Sequence, residues 1–302
     1  MREAFVKLHI SILLAGCTGL FGKLIQLHET EIVGFRMILA SLLMLALYGL
    51  PKLPFRKVLR ASAALSVLAL HWMLFYCSIK VSNVCIGVLC FSTTGGWTLL
   101  VESLVRRRWP TVAEIIWCLM AVAGVGCIYF LSPDTAAGAA GGDVQRGILI
   151  GLLSSLVCGI YTVMSKAACR GMETRDFLQC GLLGGLVALT VLIPIYLQAF
   201  GLPLQTVLKA PSRMDWVWML CHASFCTVAM YLLQLAALRR LSAFTVNLSY
   251  NLEPVYSILF AMLFLGEAVE LHRSFYLGLA LVALSVVMQS IVVAQKRKRD
   301  AG

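Results

Sequence analysis

Ten apolar runs of about 20 residues follow one another along this chain, and runs of that length are typical of membrane-crossing helices. We place them at 8–27, 33–50, 58–79, 84–104, 112–131, 147–167, 177–198, 215–238, 242–264 and 271–293. Composition agrees, because 60% of the 302 residues are hydrophobic and only 13% are charged, against about 25% charged in soluble domains. The sequence predicts an all-α membrane protein with ten transmembrane helices.

The net charge of +11 is distributed unevenly between the connections. If the N-terminus is cytoplasmic, seventeen of the 25 Lys and Arg residues fall on the cytoplasmic side and five on the opposite side. Cytoplasmic loops of membrane proteins carry such an excess of basic residues. We therefore expect both termini in the cytoplasm, and the basic excess needs no nucleic-acid partner.

A Gly- and Ala-rich stretch divides the ten runs into two groups of five. It predicts a first five-helix repeat at 1–131, an extracytoplasmic linker at 132–145, a second repeat at 146–295 and a basic cytoplasmic tail at 296–302. Five is an odd number, so the second repeat must enter the membrane from the opposite side. The expected architecture is two inverted five-helix repeats around a central cavity, with a substrate site near the midplane.

Two registers align the halves. The first register places Gly16 on Gly159, and the same offset places Lys23 on Lys166 and Arg36 on Gln179. The second register has a larger offset, which places His71 on Tyr231 and Thr93-Thr94 on Glu253-Pro254. A longer connection in the second half, near 199–214, accounts for the change of register. The repeat hypothesis depends on these few correspondences.

One run carries a carboxylate and a proline side by side, at Glu253 and Pro254. A charged side chain at membrane depth normally faces protein or a water-filled cavity. Proline removes a helix hydrogen bond and crowds the carbonyl one turn earlier, so we expect a helix break at Pro254. Glu253 either takes up a proton or binds a substrate amine, or it is a structural carboxylate that anchors this break.

Three motifs in the second half, Ala236-Ala-Leu-Arg-Arg-Leu-Ser-Ala, Leu252-Glu-Pro-Val and Leu265-Gly-Glu, resemble the EamA-type branch of the drug/metabolite transporter superfamily. Gly16, Lys23 and Arg36 are similar to that family's glycine, lysine and arginine around its first two spans. The first half departs from the pattern at Thr93-Thr94 and at Arg106-Arg107-Arg108. The resemblance implies a ten-span bacterial inner-membrane carrier that moves a small metabolite, often an amino acid, and often outward.

The candidate site residues are polar or aromatic side chains inside the runs. As substrate-binding or cavity residues we propose Glu253, Asn247, Tyr250, Asn251, His71, Trp72, Tyr76, Tyr231, Thr93 and Thr94. Lys23, Lys166 and Arg36 are candidates for a gate or an anion contact. Snorkelling to the interface is the alternative for the two lysines, and a pair with Glu29 or Glu31 is the alternative for Arg36.

The function expected from these features is secondary transport by alternating access, either coupled to protons or as facilitated diffusion. A membrane-embedded enzyme would need a reactive constellation such as His-Glu-x-x-His, and the sequence has none. A channel or scaffold is the remaining alternative. We expect no cofactor and no metal.

The eleven cysteines form no Cys-x-x-Cys pair, so we expect buried, unreactive thiols. Leu13-Leu-Ala-Gly-Cys17 resembles a lipoprotein processing site, and cleavage there would remove half of the first run. The repeat requires that run intact, which favours an unprocessed N-terminus.

Overall fold

The computed structural model describes residues 2–107, 110–131, 143–207, 209–238, 249–250, 252–266 and 273–301, and every element in them is helical. The helices are α1 (Arg2–Leu24), α2 (Glu29–Tyr48), α3 (Phe55–Val81), α4 (Val84–Phe91), α5 (Thr94–Arg106), α6 (Val112–Leu131), α7 (Val144–Ala168), α8 (Thr174–Ala199), α9 (Arg213–Ala223), α10 (Met230–Leu238), α11 (Glu253–Phe264) and α12 (Arg273–Ala301). A 3₁₀ turn covers Leu204–Val207, and a π-helix at Ser224–Ala229 joins α9 to α10.

Side-chain caps set where several of these helices begin. The Asn83 and Asp143 side chains accept hydrogen bonds from backbone N–H groups three residues later, at the starts of α4 and α7. Ser212 and Asp215 form a capping box at the start of α9. These caps satisfy N–H groups that have no partner inside the helix. They explain why α7 and α9 start a few residues before the apolar runs.

Seven stretches of the described residues are long and apolar enough to cross a membrane. They are Arg2–Leu24, Glu29–Tyr48, Phe55–Val81, Val84–Val105, Val144–Ala168, Thr174–Ala199 and Arg213–Gln234. The shorter apolar helices Glu253–Phe264 and Arg273–Ser285 belong to the predicted ninth and tenth runs. The ninth run is described only from residue 249 onward.

Three details differ from a set of ten simple helices. The fourth run is two helices, α4 and α5, separated at Ser92 and Thr93. The eighth run changes from α- to π-helix at Ser224 and returns to α-helix at Met230. The last helix continues to Ala301, so the basic residues after 295 extend it. Of the predicted linker, residues 132–142 lie outside the described residues, and α7 begins at Val144.

Packing places α3 at the centre of the bundle, in extended contact with α7 and α8. Helix α1 packs against α10 and α11, and α7 packs against α4 and α5. Helix α2 packs against α8, and α6 packs along α12. The largest cluster of buried apolar side chains is centred on α3 and α4 and includes Trp72, Phe75 and Tyr76.

Candidate functional site

Arg36 is the centre of a buried polar network that joins α2, α3 and the π-helix. It is 2% exposed. Its Nε donates to Thr227 Oγ1 at 2.8 Å, Nη1 donates to the Tyr76 hydroxyl at 2.8 Å, and Nη2 donates to the Cys226 carbonyl at 3.1 Å. The guanidinium carbon lies 3.8 Å from the centroid of the Trp72 ring, a cation–π contact.

The predicted pair between Arg36 and an acidic residue at the start of α2 is wrong. Glu29 accepts a hydrogen bond from the Tyr196 hydroxyl at 2.7 Å, and Glu31 accepts from the His28 backbone N–H at 3.0 Å. Both carboxylates lie in the first turn of α2 and bond to groups at its N-terminal end, whereas Arg36 lies farther along the helix. Among the described residues, only neutral groups accept hydrogen bonds from Arg36.

His222 extends this network. Arginine has only donors, so the Tyr76 hydroxyl accepts from Arg36, and the same hydroxyl shares a hydrogen bond of 3.0 Å with His222 Nε2. The other ring nitrogen, Nδ1, has no partner among the described residues. The imidazole is fully buried and lies against Phe21, with ring centroids 5.5 Å apart.

His71 lies in the contact between α3 and α7. Its Nδ1 is 2.8 Å from the Ser154 hydroxyl and 3.0 Å from the Ser154 carbonyl, and the same hydroxyl donates to the His71 carbonyl at 3.0 Å. Because the Ser154 carbonyl can only accept a hydrogen bond, His71 Nδ1 carries the proton. The ring also packs on Phe75 and Phe91. His71 therefore holds two helices together and borders the aromatic side chains next to Tyr76.

Glu253 is the first residue of α11, which puts Pro254 in the first helical turn. Proline is well tolerated there, since its missing N–H has no helical partner to lose. The carboxylate is half-buried, and no hydrogen bond or ion pair from a described residue reaches it. It lies within electrostatic range of Arg36, Tyr231 and Tyr250.

Thr93 and Thr94 occupy the break between α4 and α5. Their hydroxyls donate to the carbonyls of Cys90 and Phe91, at 2.7 and 2.6 Å. The second bond gives the Phe91 carbonyl a partner at the end of α4, and the first adds to the Cys90 carbonyl, which also accepts from the Thr93 N–H and the Ser155 hydroxyl. The hydroxyl protons are thus committed to the helix break, and only the oxygen lone pairs are available to a ligand.

The remaining candidates are spread over the bundle. Tyr250 donates to the Ser11 hydroxyl at 3.2 Å and packs against α1. Tyr231 is half-buried beside Tyr161. Lys166 forms an exposed ion pair with Glu102 at 3.0 Å, and Lys23 is half-buried in the last turn of α1. Asn247 and Asn251 lie outside the described residues.

Of the predicted site residues, the structure thus brings Arg36, Trp72 and Tyr76 into direct contact. Sequence reasoning missed Thr227, the Cys226 carbonyl and Ser154, and it undervalued His222. A single hydroxyl or carbonyl in an apolar run carries no pattern. The only available signal was that His222 is the one histidine of the eighth run, since ionisable residues in spans are rare.

Two glycines allow close helix contacts near the starts of α5 and α11. Gly16 in α1 lies against Tyr256 and Ser257 of α11, and Ser257 donates a hydrogen bond to the Gly16 carbonyl. Gly159 in α7 lies against Trp97 and Thr98 of α5. A side chain at either position would overlap the opposing helix, so glycine brings each pair of backbones close together.

Comparison with known proteins gives a family, a relative and a solved structure that this chain resembles. Residues 145–289 match the EamA-like transporter family. The uncharacterized transporter YxxF of Bacillus subtilis is 24% identical over 287 residues, which cover 92% of this chain and 86% of the relative. One protein of known crystal structure superposes with a TM-score of 0.59 at 15% identity, over 98% of this chain and 99% of its own, and this shows a shared fold. The protein is therefore a multi-pass membrane protein whose residues 145–289 are similar to the EamA-like transporter family.

Proposed function

We propose that this protein is a secondary transporter that exports a small neutral or zwitterionic metabolite, such as an amino acid, across the bacterial inner membrane. Transport proceeds by alternating access between two inverted five-helix repeats, 1–131 and 146–295, joined by the linker at 132–145. Both termini are cytoplasmic. The membrane location and the transporter family support the general class, and the following features support the finer proposal.

The observation that carries the proposal is a contact made twice, once in each direction between the halves. Gly16 of the first half meets Ser257 of the second, and Gly159 of the second half meets Trp97 of the first. The register that aligns the starts of the halves places Gly16 on Gly159. The register that aligns Thr93 with Glu253 places Trp97 on Ser257. Two independent registers therefore predict the same pair of contacts.

The packing of whole helices shows the same correspondence between the halves. The α3–α7 contact corresponds to the contact between α10 and α1. The α5–α7 contact corresponds to the contact between α11 and α1. The pairs α2–α8 and α6–α12 each join a helix to its own counterpart. Such a pattern is expected of inverted repeats, in which one arrangement opens inward and its near mirror opens outward.

The charges support a zwitterionic or neutral cargo. Arg36 lies in the first half, and the residue that matches it in the second half is Gln179. Glu253 lies in the second half, and the residue that matches it in the first half is Thr93. The two groups lie within electrostatic range of each other, with the aromatic ring of Trp72 beside Arg36. A cargo with one amine and one carboxylate complements such a pair.

The test of transport is solute counterflow into proteoliposomes made from the purified protein. A carrier gives counterflow that saturates with solute concentration, because each cycle moves a bound molecule. A screen of amino acids, sugars and nucleosides identifies the cargo. Flux that rises linearly without saturation would instead show a channel.

Glu253→Gln tests the role of the carboxylate in the same assay. If Glu253 binds a proton or a substrate amine, the substitution lowers the rate at least tenfold and flattens its dependence on pH. Glu173→Gln, at an exposed position beside Arg175, is the control and should behave as wild type. An unchanged rate and pH profile in Glu253→Gln would assign the residue a structural role only.

A further inference from the structure

Among the described residues, α6 and α12 contact each other far more than they contact the other helices. Helix α12 packs along α6, and α6 reaches the other helices chiefly through α5 and α7. The contact between α5 and α6 is much less extensive than the one between α6 and α12. Two helices that meet so sparingly at membrane depth leave space between them.

That space is a cleft of about 150 Å³ between α5 and α6. It is lined almost wholly by apolar side chains: Thr93, Gly96, Trp97, Leu99, Leu100, Pro110, Ile115, Leu119 and Val122. Leu119 is 62% exposed and Leu100 is 42% exposed, so the cleft opens toward the surroundings of the bundle. In a membrane, those surroundings are lipid acyl chains.

The length of the cleft corresponds to one leaflet of a bilayer. Its lining residues run from Thr93 to Leu100 on α5 and from Ile115 to Val122 on α6, and Pro110 lies at one end. At 1.5 Å per residue, the stretch from Pro110 to Val122 rises at most about 18 Å. Half of the hydrocarbon core is about 15 Å. One acyl chain that extends inward from the interface would therefore reach from Pro110 toward Thr93.

The positive charge of Arg107 lies at the Pro110 end of α5. Arg107 is exposed and caps α5, and Arg106 and Arg108 flank it in the sequence. The backbone of Arg107 is left-handed, with φ of 51°. Glycine adopts this conformation without strain, so an arginine here indicates a use for its side chain. Basic clusters beside a span attract anionic lipid headgroups.

We propose that the cleft binds one anionic phospholipid, with an acyl chain between α5 and α6 and its phosphate at Arg107. The lipid fills the gap between α5 and α6, and it stabilises the contact of the α6–α12 pair with the rest of the bundle. This site is separate from the network around Arg36. The inference requires only that the protein lies in a membrane, and it holds whatever the cargo is.

The test is thermal unfolding of the purified full-length protein in detergent with added dioleoylphosphatidylglycerol or dioleoylphosphatidylcholine. The anionic lipid should raise Tm by several degrees more than the zwitterionic lipid, since a ligand that binds the native state stabilises it. The difference should vanish when Arg106, Arg107 and Arg108 are all replaced by Gln. Lys52→Gln, which removes an exposed positive charge in the α2–α3 connection, should leave it unchanged.

Two further variants separate folding from lipid binding. Arg107→Gly relieves the left-handed backbone, so it should raise Tm without lipid while it reduces the response to the anionic lipid. Leu119→Trp should fill the cleft and reduce the response to both lipids. Equal responses of the wild type to the two lipids would overturn the proposal. A dimeric wild type and a monomeric Leu119→Trp variant with an intact lipid response would also overturn it, because the cleft would then be an interface between copies.

Discussion

At the scale of single residues, the least expected arrangement is a buried arginine whose described partners are all neutral. A charged group inside a membrane protein is costly unless its hydrogen bonds are made. Arg36 makes three, to a threonine hydroxyl, a tyrosine hydroxyl and a backbone carbonyl, and stacks on Trp72. The network holds the guanidinium in place while it leaves the positive charge without a described counter-anion.

Tyr76→Phe tests this network, because the hydroxyl serves both Arg36 and His222. Its removal leaves a buried guanidinium N–H and a buried imidazole nitrogen without partners, which should lower the free energy of unfolding by about 1–3 kcal/mol. Denaturant unfolding in detergent measures the change. Tyr276→Phe, at an exposed position on α12, is the matched control and should stay near wild type. Equal stability of the two variants would show that the Tyr76 hydroxyl contributes nothing.

At the scale of elements, interruptions of the helices decide the form of the bundle. The fourth run stops at Ser92 and Thr93, the eighth contains a π-helix, and α11 begins at Glu253. The π-helix presents the Cys226 carbonyl and the Thr227 hydroxyl to Arg36. Irregular helices of this kind are often found at functional sites. Each interruption lies beside a close contact with another helix.

Glycine substitutions test these contacts. Ala at position 159 would bring its Cβ within 2.9 Å of the Thr98 nitrogen, and Ala at position 16 would bring its Cβ within 2.8 Å of Tyr256 Cβ. Each should lower the free energy of unfolding by about 1–3 kcal/mol through overpacking. Each substitution should also slow transport, because α1 can no longer pack closely on α11, or α7 on α5.

Gly34→Ala is the control for both, since nothing lies within 4 Å of the added Cβ. Alanine is the better helix former by up to about 1 kcal/mol, so this variant should be as stable as wild type or more stable. If all three alanine variants were equally stable, the close contacts at Gly16 and Gly159 would not limit packing.

At the scale of the whole molecule, the central question is how the two halves cross the membrane. The proposed five spans in each half would place the 132–145 linker opposite to both termini. Helix α1 packs against α10 and α11 as α7 packs against α3 and α5, and α6 packs along α12. Two copies of one unit, inserted in opposite directions as we propose, would produce this packing.

Reporter fusions test this topology. Alkaline phosphatase is active only outside the cytoplasm, so a fusion after residue 140 should be active. Fusions after residue 52 and after residue 302 should be inactive. Green fluorescent protein at the same three positions should give the reverse pattern. An active phosphatase at the C-terminus together with an inactive one after residue 52 would mean an odd number of spans between these positions and would contradict the inverted repeat.

The sequence by itself determined the membrane location, the family resemblance and nearly all helix positions. The run at 112–131 coincides with α6, and the runs at 58–79 and 177–198 lie within α3 and α8. Hydrophobicity decides these features locally, because about 20 apolar residues in succession are needed to cross a bilayer. The sequence also identified Arg36, Trp72 and Tyr76 as candidates, because polar and aromatic side chains stand out in an apolar run.

Only the tertiary structure decided which groups these side chains contact. Arg36 bonds to Thr227, 191 positions later in the chain, and His71 bonds to Ser154, 83 positions later. No local pattern encodes such pairs, since each depends on how separate helices pack. For the same reason a nearby carboxylate was the alternative partner for Arg36 from the sequence, whereas packing directs its side chain to the neutral acceptors of α3 and the π-helix.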